Sequence, residues 1–242
     1  MELLVLEHHA TTGVCRFADV LEGRRDLVTT RTIDIAAGEA LPISFDEVAG
    51  LVVMGGPQSV TEEQPWLAGE LDLLRRAVEE DVPVFGVCLG AQLLAVAAGG
   101  AVTTRAVPEI AFVPQRHATD VGDDELAAGW PDGAATFVWH GDEVTTMPPG
   151  AVPLLHGPEQ VTAWRIGNAF ATQAHPEVDT AQIARWIELD DLDRQLADAG
   201  IDADGLLTES ARREPFTLAT GLSLFGRFVD GPVRRRVTGS SR

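Results

Sequence analysis

Short apolar segments alternate with longer segments of helical periodicity in the N-terminal part of the chain. Pro65–Glu80 places leucine and valine on one helical face and charged residues on the other, which predicts an amphipathic helix. Alternating strands and helices are typical of a parallel sheet that helices cover on both faces. The predicted strands are Leu3–Leu6, Asp26–Ile35, Leu51–Met54 and Val82–Val87, and the predicted helices are Phe17–Gly23, Pro65–Glu80 and Leu89–Ala98.

The pattern changes after Ala101, where short alternating segments replace the helices. ATFVWH, AVPLLH, VTAWRIG and AFATQAH predict antiparallel strands at the edge of the sheet. Helices are predicted again at Thr180–Leu189 and Phe216–Phe228, and the acidic, helix-prone segment Asp190–Asp204 caps the domain or forms a solvated face. We therefore predict an α/β domain at residues 1–189 with a parallel or mixed central sheet. Residues 190–242 are predicted to be a helical C-terminal extension of the same domain that ends in a frayed tail, RRRVTGSSR.

Composition and charge exclude several classes of function. Of the 242 residues, 45% are hydrophobic, which is enough for a full core without disulfides or metals. The formal net charge is −19 and all 18 basic residues are arginine, which argues against a nucleic-acid partner and against binding to an anionic membrane. Because lysine is absent, Schiff-base chemistry and the lysine of a phosphate-binding P-loop are excluded.

The cysteines and the N-terminus indicate a cellular compartment. Cys15 and Cys88 form no CxxC pair, so a reducing cytoplasm is the simplest location. The N-terminal apolar run is too short for a signal peptide, and no run approaches the length of a membrane span. The sequence thus predicts a soluble, cytoplasmic protein.

The segment GVCLG at Gly86–Gly90 places one cysteine between two glycines, where a predicted strand meets a predicted helix. This is the pattern of a nucleophile elbow, a turn so tight that side chains at the flanking positions would collide with neighbouring backbone. Such a turn would hold the Cys88 sulfur at the N-terminus of the helix, where the helix dipole favours the thiolate. The N–H of Leu89 would then point towards a developing oxyanion. The elbow alone leaves open a small buried cysteine without chemistry.

A cysteine nucleophile of this kind needs a histidine, and the histidine needs a group that orients it. Among the six histidines, only His175 is followed by a carboxylate in a rigid frame, His-Pro-Glu. Pro176 restricts His175 to extended geometry, so the side chains of His175 and Glu177 point to the same side. The sequence therefore predicts that Cys88, His175 and Glu177 act together.

The other histidines and the second cysteine carry weaker signals. His8 and His9 follow the first predicted strand, so they are expected at the same edge of the sheet as Cys88. Adjacent histidines on a loop lack the spacing of metal ligands, and we predict no metal site. A role of Glu7-His8-His9 towards a substrate or a partner stays open, and Cys15 is interpreted as a packing residue.

Four segments carry a pattern: MGGPQSV (Met54–Val60), GVCLGAQLLA (Gly86–Ala95), WHGDEV (Trp139–Val144) and QAHPEV (Gln173–Val178). Together they resemble the ordered signatures of the class I glutamine amidotransferases. They occur in the family's order and at family-like separations over Leu3–Leu189. Within the family, the chain resembles the stand-alone proteins that are similar to the amidotransferase half of GMP synthase. The resemblance implies a flavodoxin-like sheet and a reaction without a cofactor.

The resemblance also implies a role for each residue of the triad. Cys88 would attack the side-chain amide of glutamine, giving a γ-glutamyl thioester and releasing ammonia. His175 would take the thiol proton, protonate the leaving amine and then activate water, while Glu177 orients the imidazole. The N–H groups of Gly56 and Leu89 would form the oxyanion hole. A plain turn glycine is the alternative for Gly56.

Four further residues are expected to bind the substrate. Gln92 lies one helical turn after the nucleophile, about 5.4 Å along the same helix, and the family uses the matching glutamine to hold the amino-acid end of the substrate. A polar residue in so apolar a helix needs such a partner. Trp139, Gly141 and Asp142 match the segment that contacts the substrate mostly through its backbone in the family, and His140 between them is interpreted as structural.

The sequence leaves the destination of the released nitrogen open. No ATP-dependent synthetase half follows in the 242 residues, so the chain either passes ammonia to a separate synthetase or acts alone as a γ-glutamyl hydrolase or peptidase. The first is the leading hypothesis. A non-catalytic regulator on the same fold is disfavoured because the cysteine, histidine and glutamate are all present. A cysteine-elbow protease or chaperone is disfavoured because its cysteine precedes a histidine, where this chain has Leu89. Assembly as a homo-oligomer stays open.

Overall fold

The fold consists of a mixed β-sheet with helices on both faces. The computed structural model describes residues 1–118, 121 and 124–239, with the backbone alone at 190–193. The strands are β1 (Glu2–Glu7), β2 (Thr29–Asp34), β3 (Val48–Val53), β4 (Val84–Val87), β5 (Ala101–His117), β6 (Ala134–Thr146), β7 (Val152–His156), β8 (Val161–Ile166) and β9 (Ala169–Thr172). The helices are α1 (Phe17–Glu22), α2 (Leu67–Glu79), α3 (Leu89–Ala97), α4 (Thr180–Ile187), α5 (Asp190–Ala199), α6 (Ala203–Phe228) and α7 (Arg234–Thr238), with a 3₁₀ turn at Ala127–Gly129 and a π turn at Val229–Val233.

Within the described residues, nine strands form one sheet in the order β2-β1-β3-β4-β9-β8-β7-β5-β6. The strands from β2 to β9 in this order run parallel, and β8, β7, β5 and β6 continue the sheet with antiparallel pairing. The α/β fold with a mixed central sheet and an antiparallel edge is therefore as predicted.

The inner parallel strands β1, β3, β4 and β9 are buried, whereas the edge strand β2 is largely exposed. The side chains of β1 alternate between two cores. In β1, Leu3 and Val5 belong to the core that also contains residues of α1 and α6, whereas Leu4 and Leu6 belong to the core formed with α2 and α3. Full burial of an aliphatic side chain stabilises the fold by about 1.5–3 kcal/mol, so this double alternation supplies much of the driving force for folding.

The long helix α6 contributes to the core that contains Leu3 and Val5. Phe225 of α6 stacks on Phe17 of α1 with ring centroids 4.1 Å apart, and its ring meets Phe85 of β4 edge to face at 5.2 Å. The predicted extension thus packs directly on the central sheet. The division of the chain at Leu189 stays a prediction.

The strand formed by AFATQAH lies inside the sheet, so its assignment to the antiparallel edge was wrong. β9 pairs parallel with β4, from Val84↔Ala169 to Val87↔Thr172, and antiparallel with β8. The run AFAT is fully buried, and an apolar run of four residues fits either direction of pairing. This position brings the residues that follow β9 next to those that follow β4.

Several elements are longer than the sequence pattern predicts. β5 and β6 have 17 and 13 residues and form an antiparallel ribbon whose register shifts between Thr104 and Glu109. α6 begins at Ala203, well before the predicted Phe216, and continues through Pro215. None of the described helices, α6 included, combines the length and apolarity needed to cross a membrane.

The C-terminal tail departs from the predicted frayed segment over Arg234–Thr238, which forms α7. Arg236 donates hydrogen bonds to the carbonyls of Val48, at 2.8 Å, and Phe45, at 3.1 Å. These bonds fasten α7 to the start of β3. The rest of the predicted tail, Ser240–Arg242, lies outside the described residues.

Candidate active site

Cys88 lies at the junction of β4 and α3 with a strained backbone, at φ 51° and ψ −107°. A Cβ atom added at Gly86 would lie 2.8 Å from the carbonyl oxygen of Gly90, and one added at Gly90 would lie 2.0 Å from the carbonyl oxygen of Val53. Both glycines are therefore required by close backbone contacts, as the sequence reasoning on the elbow predicts.

His175 and Glu177 follow β9, and the pairing of β9 with β4 brings them to Cys88. The backbone N–H of Cys88 donates to Thr172 O at 2.8 Å, and His175 Nδ1 lies 2.8 Å from Glu177 Oε1. A Cβ atom added at Gly55 would lie 3.2 Å from His175 Cε1 and 3.6 Å from Cys88 Cβ. The imidazole and the cysteine side chain thus converge above the same glycine.

The electrostatics of the site favour a protonated His175. Burial opposes the charged imidazole, but the charges of Glu177 and Cys88 and hydrogen bonds with both outweigh it and raise the pKa of His175 to about 10. A protonated His175 donates from Nδ1 to Glu177 and leaves Nε2–H available beside the sulfur. In contrast, burial and the charge of Glu177 raise the pKa of the Cys15 thiol, which disfavours a thiolate there.

The predicted oxyanion donors border Cys88 from two sides. A Cβ atom at Gly56 would lie 2.8 Å from His8 Cβ and 3.0 Å from Leu89 Cδ2, so only glycine fits in this loop. In α3, the N–H of Gln92 donates to Cys88 O at 3.0 Å. Leu89 stands before Gln92 in the first turn of α3, where backbone N–H groups have no carbonyl partner within the helix. The N–H groups of Gly56 and Leu89 can stabilise a negatively charged oxygen on a carbon bound to the sulfur.

Gln92 belongs to a buried chain of hydrogen bonds that reaches the sulfur. Its Nε2 donates to Asp142 O at 2.9 Å and lies 3.3 Å from Gln173 Oε1, while Gln173 Nε2 lies 3.6 Å from Cys88 Sγ. The sequence reasoning singled out Gln92 but missed Gln173, although Gln173 is part of the motif QAHPEV.

The WHGD segment of β6 forms the wall opposite the elbow. Cys88 Sγ lies 3.7 Å from the carbonyl oxygen of Trp139, and the Asp142 carboxylate accepts a hydrogen bond from the Ser59 hydroxyl. Gly141 lines the same wall. Trp139 Nε1 donates to Gln195 of α5 at 2.9 Å, a contact that the interpretation of Asp190–Asp204 as a cap or solvated face did not foresee.

His140 is held by the protein on both ring nitrogens. Its Nδ1 lies 2.8 Å from Asp142 O, and its Nε2 lies 3.0 Å from Glu109 Oε2. The hydrogen bond to His140 outweighs partial burial and lowers the pKa of Glu109. This arrangement positions the Asp142 carbonyl and agrees with a structural interpretation of His140.

His8 lies beneath the loop that carries Gly56. His8 and Glu70 are fully buried, and His8 Nε2 is 3.0 Å from Glu70 Oε2. The backbone carbonyl of His8 accepts from Gln58 Nε2 at 2.8 Å. No sequence signal indicated Glu70, because the predicted amphipathic helix assigns its charged residues to the face opposite the leucines, whereas Glu70 is buried.

Two adjoining pockets meet at Cys88. We name them the His175 pocket and the Gln92 pocket, and they share Gly56, Pro57, Cys88 and Trp139. His9, Thr11, Thr12, His175, Trp186 and Leu189 complete the His175 pocket, and Gln58, Ser59, Gln92, His140, Gly141, Asp142 and Gln195 complete the Gln92 pocket. A substrate that reaches across Cys88 would therefore place its two ends in different surroundings.

Comparison with known proteins matches the family model described as glutamine amidotransferase class-I to residues 23–188. A gamma-glutamyl-L-1-hydroxyisopropylamide hydrolase of a Pseudomonas species is 29% identical over 185 residues, 72% of this chain and 56% of that protein. A glutamine-hydrolyzing GMP synthase of Aeropyrum pernix is 34% identical over 172 residues, 68% of this chain and 31% of that protein. The chain thus spans less than two thirds of the length of either relative.

Solved structures share the fold over almost the whole chain. A glutamine amidotransferase from Thermotoga maritima superposes with a TM-score of 0.83 at 26% identity, covering 96% of this chain and 99% of that one. A glutamine amidotransferase from Methylobacillus flagellatus also gives a TM-score of 0.83 at 26% identity, with 95% of this chain and 94% of that one covered.

Proposed function

The chain belongs to the class I glutamine amidotransferase family, and we propose that it hydrolyses the γ-amide bond of glutamine or of a close γ-glutamyl compound. The observation that carries the proposal is the convergence of Cys88, His175 and Glu177 at the ends of β4 and β9. A thiol, an imidazole and a carboxylate in this order are the groups that acyl transfer through a thioester requires.

In the first half of the reaction, Cys88 attacks the amide carbon as a thiolate. The carbonyl oxygen becomes negatively charged and accepts hydrogen bonds from the N–H groups of Gly56 and Leu89. His175, protonated at Nε2, donates that proton to the amide nitrogen as the carbon–nitrogen bond breaks. The amine leaves, and a γ-glutamyl thioester stays on Cys88.

In the second half, water attacks the thioester. His175 is now neutral at Nε2 and takes a proton from the water, while the oxyanion again forms between Gly56 and Leu89. Collapse of this intermediate breaks the carbon–sulfur bond, releases glutamate and restores the thiolate of Cys88. Glu177 holds the Nδ1–H of His175 throughout, at the 2.8 Å seen in the structure.

The glutamyl end of the substrate is assigned to Gln92, Trp139, Gly141 and Asp142. Their polar groups line the Gln92 pocket, with the Gln92 amide at 2.9 Å from the Asp142 carbonyl and the Asp142 carboxylate at the Ser59 hydroxyl. An ammonium and a carboxylate on one carbon need donors and acceptors of this kind.

Two fates of the released nitrogen follow from the relatives. The GMP synthase relatives are named as glutamine-hydrolyzing, which supports transfer of ammonia to a separate synthetase. The relative named as a hydrolase of a γ-glutamyl alkylamide supports partner-independent hydrolysis. Partner-independent hydrolysis is also favoured by the pocket beside His175, which is larger than a leaving ammonia molecule requires.

Ammonia release from glutamine by the purified chain tests the proposal. We expect wild-type protein and Cys15→Ala to release ammonia and Cys88→Ala to release none above background. Full activity in Cys88→Ala would overturn the proposed chemistry. Repeating the assay with a copurified synthetase, if native extract yields one, separates the two fates: strong stimulation of the glutaminase rate indicates ammonia transfer.

A further inference from the structure

We propose that the His175 pocket is a binding site for the leaving amine, and that it accepts a short, uncharged alkyl or hydroxyalkyl amine. The substrates would then be γ-glutamyl amides of such amines, hydrolysed in preference to glutamine. This inference rests on the proposed function, since it takes the triad chemistry as given and assigns the second end of the substrate.

The chemistry of the leaving group decides which pocket receives it. The amide nitrogen takes its proton from His175, so the nitrogen and its substituent must lie on the side of the sulfur where His175 lies. His175 lines one pocket only, and Gln92, Gly141 and Asp142 line the other. The glutamyl group therefore extends into the Gln92 pocket and the amine into the His175 pocket.

The sizes of the two pockets agree with this assignment. The cavity volume open to water is about 40 Å³ in the His175 pocket and about 120 Å³ in the Gln92 pocket, and one water needs about 10–15 Å³. A γ-glutamyl group has nine non-hydrogen atoms, and ammonia has one. The larger pocket therefore suits the γ-glutamyl group, and the His175 pocket has room for a short amine that is larger than ammonia.

The walls of the His175 pocket suit a body that is largely apolar. Trp186 of α4 and Leu189, which lies between α4 and α5, line it, and among its described lining residues there is neither a carboxylate nor a guanidinium. Thr11 and Thr12 line the same pocket. Because the Thr12 hydroxyl donates to Gly55 O, its oxygen can accept a hydrogen bond from a hydroxyl on the amine. Neither the ammonium group of a diamine nor the carboxylate of an amino acid would find a carboxylate or a guanidinium as its partner among these lining residues.

The pocket is held in place by bonds to the loop after β1. Trp186 Nε1 and Gln182 Nε2 both donate to the carbonyl oxygen of Thr11, at 2.8 Å and 2.7 Å, and the Trp186 ring meets His175 edge to face at 4.9 Å. Thr12 donates to Gly55 O at 2.9 Å. Because α4 and this loop are bonded together, the pocket exists before the substrate arrives.

The reaction balances without a further reactant. Cys88 Sγ bonds to the γ-carbon, the carbon–nitrogen bond breaks, and His175 Nε2–H supplies the proton, so the amine departs neutral. Water then enters the vacated pocket, loses a proton to His175 and replaces the sulfur. One γ-glutamyl amide and one water give glutamate and the free amine.

A substrate panel tests the proposal with the purified chain and no partner. The compounds are glutamine, γ-glutamylmethylamide, γ-glutamylisopropylamide, γ-glutamylputrescine and γ-glutamylglycine, and glutamate release is measured for each. We expect kcat/KM for the isopropylamide to exceed that for glutamine by about tenfold or more, the size of effect that one to a few buried methylene groups produce. Rates that fall with every added carbon, or a highest rate with the putrescine or glycine compound, would overturn the assignment.

A matched pair of variants locates the effect. Leu189→Trp fills the His175 pocket and is expected to lower the ratio of kcat/KM for the isopropylamide to that for glutamine by at least about fivefold. Leu67→Trp makes the same change at a partly buried leucine of α2, outside both pockets, and should keep the ratio. An unchanged ratio in Leu189→Trp would contradict the proposal. Glutamine turnover through Cys88 without turnover of any alkylamide would refute this inference alone, whereas no turnover and no acylation of Cys88 would refute the proposed function itself.

Discussion

Gly221 of α6 packs against the turn that carries the proposed base. A Cβ atom added at Gly221 would lie 2.0 Å from the carbonyl oxygen of Pro176 and 2.8 Å from its carbonyl carbon. Relief of this overlap requires α6 or the His-Pro-Glu turn to move by roughly 1 Å or more. Pro176 lies between His175 and Glu177, so the movement displaces both side chains relative to Cys88.

The Gly221→Ala variant therefore tests whether α6 positions the triad. A displacement of about 1 Å can cost about 10²-fold in rate, so we expect kcat for glutamine to fall by about that factor. Gly226→Ala is the control, since it lies on the same helix and its Cβ atom would meet only the end of the Arg24 side chain, at 3.2 Å. Both changes replace a helical glycine with alanine, and this replacement by itself stabilises the helix by about 1 kcal/mol.

The assay compares the initial rate of ammonia release by the two variants and the wild type, with thermal unfolding and near-UV circular dichroism as checks on the fold. Gly226→Ala should stay within a few-fold of the wild-type rate. A folded Gly221→Ala protein with wild-type kcat would refute the reasoning, because the overlap would then be absorbed without moving the triad.

Three further predictions concern the surroundings of the triad. Glu70→Ala removes the partner of the buried His8 Nε2, so the free energy of unfolding in urea should fall by roughly 1–3 kcal/mol; a change below about 0.5 kcal/mol would count against the pairing. Burial opposes protonation of His175, but chiefly the charge of Glu177 raises its pKa to about 10, so the stability that this group contributes is complete below its unfolded pKa of about 6.5 and is lost as the pH rises towards 10. Wild-type protein should therefore lose more stability between about pH 7 and 10 than Glu177→Gln, and equal losses would contradict the cause given. Gly56→Ala keeps the backbone N–H, but its Cβ atom would overlap His8 and Leu89, so the loop and this N–H must move. We expect kcat to fall by about 10²–10³-fold and the rate of alkylation of Cys88 by iodoacetamide to stay unchanged; a parallel fall in both would exclude an oxyanion role.

The nucleophile elbow and the His-Pro-Glu frame could be predicted because their geometry is local. Gly86 and Gly90 stand within two residues of Cys88, and Glu177 stands two residues after His175, so steric and rotational arguments on a few residues suffice. The alternation of apolar segments with helical segments likewise predicted a sheet that helices cover on both faces. The family motifs then extended these local arguments to Gly56 and Gln92.

Features that depend on distant parts of the chain could not be predicted. His8 and Glu70 are 62 positions apart, and Trp186 is 175 positions from Thr11, whose carbonyl it binds. No period in the sequence relates such residues. The direction of β9 was misread for the same reason, because a short buried run carries no information about its neighbour.

The walls of the His175 pocket also depend on the tertiary structure. The sequence pattern places Trp186 and Leu189 in one helix, Thr180–Leu189. In the structure, Trp186 is in α4 and packs into the core around Ile183, and Leu189 lies between α4 and α5. Their second use, beside His175, arises only because α4 follows β9 and turns back over the edge of the sheet. Binding surfaces assembled in this way need the tertiary structure to be recognised.

Covalent labelling by a glutamine analogue tests the central claim most directly. The purified chain is incubated with 6-diazo-5-oxo-L-norleucine, and the modified residue is identified by peptide mass mapping while residual activity is followed. The account predicts one adduct per chain, on Cys88, with activity lost in proportion to labelling and with Cys15 unmodified. Labelling of Cys15 in place of Cys88, or loss of activity while Cys88 stays free, would contradict it.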